Sequence, residues 1–161
     1  MKSSISTSTT LKLVLVFTLL FAAFLAVAIT YNKAYRMKNE SISIIEKYEG
    51  VSNISIDILN NFLRTNGYNT QGPCEEGEYG SQNLDNTELS RVTANDRRSF
   101  YYCLKSRCAE THCRANSTNH IYYTIKLFFK FDLPLFSNIT LFRITGETKG
   151  IYVNSKIDTL S

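Results

Sequence analysis

LKLVLVFTLLFAAFLAVAITYNKAYRMKNESISIIEKY, residues 11–48, is the stretch on which the fold turns. Positions 13–29 carry no charge, and Thr18 is their only polar side chain. Extended to 11–31 the run has 21 residues. At about 1.5 Å per residue a helix of that length matches a hydrocarbon core of about 30 Å. Backbone amides in lipid must find partners within their own segment, so the run is expected to be a transmembrane helix. Ala26-Val27-Ala28 has the small-x-small form of a signal-peptide cleavage site, and a cleaved leader is the competing reading. The residues beyond the run favour a retained anchor. Tyr31, Lys33, Tyr35 and Arg36, then Lys38, place aromatics beside cations in the manner of a membrane-interface belt, with Lys12 at the other end. The helical pattern continues through Ile42, Ile45 and Tyr48, with Ile44 widening the stripe.

The remainder of the chain fits one small domain. Of 161 residues, 18 are Lys or Arg and 14 are Asp or Glu, a net charge of +4. That excess is too small and scattered to indicate nucleic acid as a partner. Hydrophobic residues make up 43%, which excludes wholesale disorder. Ile56, Leu59, Phe62 and Leu63 predict a short second helix capped near Gly67. Residues 67–95 are polar and Gly-punctuated and read as a long surface loop.

From Ile121 onward the chain alternates. Ile121, Tyr123, Ile125, Leu127, Phe129, Phe131 and Leu133 point one way, while Tyr122, Thr124, Lys126, Phe128, Lys130 and Asp132 point the other. Pro134 is expected to end this strand. Further strands are expected to open at Phe100–Tyr102 and to cover 139–145 and 150–154, the last two joined by a turn at 146–149. The expected fold class is α+β: a long N-terminal helix, transmembrane in its first half, packed on a small antiparallel sheet of three or four strands. The division is a short cytoplasmic N-terminus at 1–10, a transmembrane helix at 11–31 and an exported α+β domain at 32–161. On this reading the domain is extracellular and the protein single-pass.

Four cysteines, Cys74, Cys103, Cys108 and Cys113, all lie beyond the apolar run. An even number in an exported chain suggests two disulfides. Cys108 with Cys113 closes a short loop, and Cys74 with Cys103 then ties the long polar loop to the sheet. Zinc is the sharper alternative, with Cys103, Cys108, His112, Cys113 and His120 as candidate ligands, but no paired CxxC knuckle is present. Glu75, Glu76 and Glu78 flank Gly77 without the spacing of a calcium loop. No convergent catalytic set and no phosphate-binding loop is visible, so neither an enzyme nor a cofactor is expected. Tyr101, Tyr102, Tyr122 and Tyr123 form either a recognition patch or half-buried strand faces.

A polar start, one apolar helix, the juncture Tyr31-Asn32-Lys33-Ala34-Tyr35-Arg36-Met37-Lys38-Asn39, an amphipathic continuation to Glu46-Lys47-Tyr48 and a C-terminal sheet occur in that order. This layout resembles the minor pseudopilins of tight-adherence (Tad-type) pilus systems and pilin-like proteins of low-GC Gram-positive bacteria. The resemblance implies a structural, membrane-held accessory subunit of a pilus or secretion filament. Its partners would be the membrane, other pilin-like subunits and assembly platform proteins. No Gly precedes the apolar run and no Glu lies within it, so the subunit reads as unprocessed. The alternative function is a membrane-tethered surface module that binds a protein or glycan through its disulfide-bearing loop.

Overall fold

The computed structural model describes residues 2–108, 118–130 and 141–154. Helix α1 (Lys2–Lys47) is one unbroken rod, succeeded by α2 (Asn53–Thr65). Six strands complete the described residues: β1 (Tyr79–Ser81), β2 (Leu89–Arg91), β3 (Tyr102–Cys108), β4 (Thr118–Lys130), β5 (Leu141–Glu147) and β6 (Ile151–Asn154). All described pairings are antiparallel, in the order β2-β1-β3-β4-β5, with β6 also on β4. The fold class is α+β as expected, but the sheet has six strands among the described residues rather than three or four.

The two extra strands, β1 and β2, lie inside the segment read as an irregular loop. Each has only three residues, too short for periodicity to register, and β1 is recruited by pairing with β3. A second correction concerns residues 146–149. They form no hairpin turn, because β5 and β6 both pair with β4 end to end. Three steps along β4, from Thr124 to Ile121, face four along the β5–β6 side, from Glu147 to Ile151. The extra residue is absorbed as a bulge. There Thr148 N–H donates to the Tyr123 carbonyl (2.9 Å) and Tyr123 N–H to the Thr148 hydroxyl (3.0 Å). The expected continuation of β4 through Phe131, Asp132 and Leu133 to Pro134 lies outside the described residues.

The alternation of β4 is reproduced in burial. Ile121, Tyr123, Ile125, Leu127 and Phe129 are buried, and they join Tyr102 and Leu104 of β3 in the core beneath the helices. The helical contribution to that core differs from the predicted stripe. Its buried line is Ala34, Met37, Ser41 and Ile45, while Tyr48 is exposed and Ile42 and Ile44 are only partly covered. Ser41 is disguised by its hydroxyl, which donates to the Met37 carbonyl (2.8 Å) and so enters the core satisfied. Small residues on this line let the helix come close to the sheet. Gly146 of β5 lies against Ile42 and Lys38, where any Cβ would collide with the Ile42 side chain. The rod ends where Glu49 and Gly50 take positive φ, and Gly50 N–H bonds the Ile45 carbonyl (2.9 Å).

Helix α2 starts with a capping box. Ser55 N–H donates to the Ser52 hydroxyl oxygen (3.2 Å), and Ser52 N–H to that of Ser55 (2.8 Å). Its inner face buries Ile56, Leu59, Asn60 and Leu63. The buried amide of Asn60 is engaged at both ends: Tyr102 Oη donates to its Oδ1 (2.9 Å), and its Nδ2 donates to the Asn86 carbonyl (2.6 Å).

Tyr68 is a second polar tie through the core. Its Oη donates to the Tyr101 carbonyl (2.6 Å) and accepts from Phe128 N–H (2.8 Å). Burial pushes the Tyr68 and Tyr102 phenols well above the ordinary tyrosine value, and hydrogen bonding offsets only part of this. In the unfolded chain both would ionise near pH 10, whereas the folded state holds their protons. Stability contributed by the neutral phenols is therefore complete below pH 10 and is lost as pH rises above it, by up to about 1.4 kcal/mol per pH unit for each. In a phenolate absorbance titration, exposed members of the ten tyrosines should ionise near pH 10, and these two only together with the loss of the circular dichroism signal. Reversible ionisation of all of them near pH 10, with that signal unchanged, would contradict the placement.

Candidate functional site: the apolar helix and its junction with the sheet

The first half of α1 is bare over most of its length. Leu11, Phe17, Phe24 and Ile29 are each more than 60% exposed, and the helix is long and apolar enough to cross a membrane. Two of its hydroxyls are silenced internally. Thr18 Oγ1 donates to the Leu15 carbonyl and Thr30 Oγ1 to the Ala26 carbonyl, both at 2.9 Å. Such back-bonding removes the desolvation penalty that a hydroxyl would otherwise carry into hydrocarbon.

The expected interface residues lie at the two ends of this segment. Lys12 is exposed near the start. At the far end Tyr31 and Tyr35 are about half exposed, Arg36 is exposed, and Lys38 Nζ sits 4.2 Å above the Tyr35 ring centre. Lys33 does something different. It lines a cleft of about 530 Å³ between α1, the residues just beyond α2 and the end of β4. Ile29, Thr30, Lys33 and Met37 recur along one helix face and form one wall. Asn69, Thr70 and Lys130 contribute polar groups from the rest of the lining, and Phe129 an apolar one. Sequence reading identified Lys33 as an interface residue but gave Lys130 only its strand parity; that the end of β4 borders this cleft comes from the register of the sheet and has no local signal.

The far face of the sheet carries the Cys74–Cys103 bridge, whereas Cys108 packs against the core cluster. Cys74 and Cys103 form a disulfide (Cα–Cα 5.6 Å) across 29 positions of sequence. Cys108 is also disulfide-bonded, and no described cysteine is free. The expected Cys108–Cys113 pairing falls on Cys113, outside the described residues, as does His112. The segment carrying Cys74 is pressed onto the sheet. Gly72 and Phe100 exchange two backbone hydrogen bonds (2.9 Å each), and Gly72 lies flat on the Phe128 ring, leaving no room for a Cβ. Phe128, read from its parity as facing away from the core, is consequently buried.

Beside the disulfide, Lys126 Nζ bridges Glu78 (2.6 Å) and Glu75 (3.0 Å), and Arg143 reaches Glu75 (2.9 Å). Lys126, then Arg143, hold the Glu75 carboxyl below the usual carboxylate range. Glu78 is almost wholly buried, and the Glu75 N–H also donates to it (2.9 Å). Cys74, Cys103 and Glu78 are close enough together to suggest a metal site, but both sulfurs are spent in the disulfide and the carboxylate is neutralised by Lys126. His120, the other described candidate ligand, packs edge-on to Tyr152 (3.7 Å between ring centres).

No protein-family model, curated protein or solved structure matches this chain. Its functional reading therefore rests on its own geometry. The tyrosines considered as a recognition patch do not form one. Tyr102 and Tyr123 are buried in the core, Tyr101 is packed against it, and Tyr122 is partly covered.

Proposed function

We propose that this chain is a membrane-anchored, pilin-like accessory subunit of a cell-envelope filament or secretion machine, with a structural rather than catalytic task. The observation that supports this reading most is the continuity of α1. One helix runs from Lys2 to Lys47, exposed along its apolar run and built into the α+β core in its second half. A surface module on a tether needs a pliable joint between anchor and domain. Here Ala34 and Met37 are already core residues within a few positions of the apolar run. A rigid apolar rod fixed to a body has two uses in such a machine: it stores the subunit in the bilayer, and it packs against like helices when the subunit is drawn out. The disulfides suit an oxidising location for the body, outside the cell membrane.

The test is fractionation in the source organism, combined with photo-crosslinking from Phe17 and Phe24. The expected result is that part of the full chain leaves with mechanically sheared surface material, and that both positions crosslink to protein helices. A chain confined to the membrane fraction, with both positions crosslinking to lipid alone, would replace this reading with that of a simple tethered domain.

A further inference from the structure

We propose that the cleft between α1 and the end of β4 is a binding site for the phosphate headgroup of an anionic phospholipid. The inference rests on the membrane placement of α1 proposed above and adds a ligand to it.

Three features converge on this chemistry. The first is charge. The cleft takes Lys33 from the helix and Lys130 from the sheet, and no carboxylate lines it among the described residues. Asn69 and Thr70 add an amide-bearing and a hydroxyl-bearing residue to the same lining. A phosphate diester is the common anion that uses both kinds of donor. A zwitterionic headgroup would bring its own cation against the lysines with no acid to receive it.

The second feature is the apolar part of the lining. Met37 and Phe129 are buried residues of the core, and Ile29 forms the lip where the apolar run ends. A fully soluble anion has no use for such a wall, whereas the glycerol and first methylenes of a lipid do. A cleft of about 530 Å³ is in the size range of small-molecule sites. It accepts a headgroup and leaves the acyl chains outside.

The third is level. Lys33 lies four residues beyond Ile29, about 6 Å along the helix axis. The polar layer on each side of the hydrocarbon core is also about 5–7 Å thick. Lys33 is thus held at the depth of the lipid phosphates, and acyl chains can pass down beside Ile29 without leaving the bilayer. The cleft is distinct from the diffuse belt: Arg36 and Lys38 share the helix with Lys33 but line no part of it.

The test uses the full-length protein in nanodiscs of an equimolar mixture of phosphatidylglycerol and phosphatidylcholine. Retained lipid is counted by native mass spectrometry after mild release. The expected result is a preference of up to roughly thirtyfold for phosphatidylglycerol, the scale set by two basic side chains at a membrane surface. The pair Lys33→Gln and Lys130→Gln should reduce that preference to near parity. Both residues are exposed, so the fold should persist, as thermal unfolding would verify. The pair Arg36→Gln and Lys38→Gln removes the same charge from the same belt and should keep most of the preference.

Equal retention of the two lipids by the native chain would overturn the proposal. So would equal loss in both variant pairs, which would mean diffuse attraction only. Displacement of the lipid by millimolar inorganic phosphate would also overturn it, reassigning the cleft to a soluble phosphate. Failure of the chain to enter nanodiscs at all would instead remove the membrane placement, and this inference with it. Entry without lipid preference would remove this inference alone.

Discussion

Ile45→Asp is expected to unfold the body of the protein while leaving the apolar half of α1 able to enter a bilayer. Ile45 has no exposed surface, and it packs in the cluster that joins α1 and α2 to β3 and β4. A carboxylate there would have no cation within the core to meet it. The loss of about 4 kcal/mol or more would consume a large share of the 5–15 kcal/mol that holds a typical domain together. Ile45→Val at the same position should cost only about 1 kcal/mol. Denaturant unfolding of the full chain in detergent, monitored by circular dichroism, distinguishes the two. If the Asp variant unfolds at the native midpoint, α1 does not pack on the sheet and this architecture is wrong.

The second large effect concerns the disulfide. Replacing both Cys74 and Cys103 with Ala opens a loop of 29 positions. Chain-entropy reasoning puts the cost at about 3–4 kcal/mol. More than an entropic link is at stake, because the same segment lays Gly72 on Phe128 and brings Glu75 and Glu78 to Lys126. Limited proteolysis should therefore find new cleavage between residues 67 and 78 in the variant before global unfolding. A stability change under about 1 kcal/mol, with that segment still protected, would show that the backbone pairing of Gly72 with Phe100 holds it unaided.

The parts of this fold that are legible in the sequence are those where one local pattern runs long enough to outweigh its neighbours. The apolar run of α1 and the alternation from Ile121 to Phe129 are of that kind. The Cys74–Cys103 link is one of three possible pairings, and it becomes legible once the neighbouring Cys108 and Cys113 are taken as a local pair. What stays hidden depends on tertiary partners. Ala34 and Ser41 look unremarkable in sequence, and their value lies in being small where the helix meets the sheet. Strands β1 and β2 are too short to carry a period, and they exist because β3 offers β1 an edge. Phe128 points away from the helices, as its parity requires, yet it is buried because Gly72 arrives from more than fifty positions earlier. The cleft is the extreme case: the end of β4 is brought beside α1 by the register of a whole sheet, and nothing local to either element announces the other.

The continuity of α1 also has a mechanical consequence. Its second half lies against both β4 and β5 and against α2. Traction applied along the rod would thus load these contacts together, in shear, rather than peeling them open one after another. A coupling loaded this way yields late and abruptly, so the body and the apolar rod would hold together until most of these contacts give way at once.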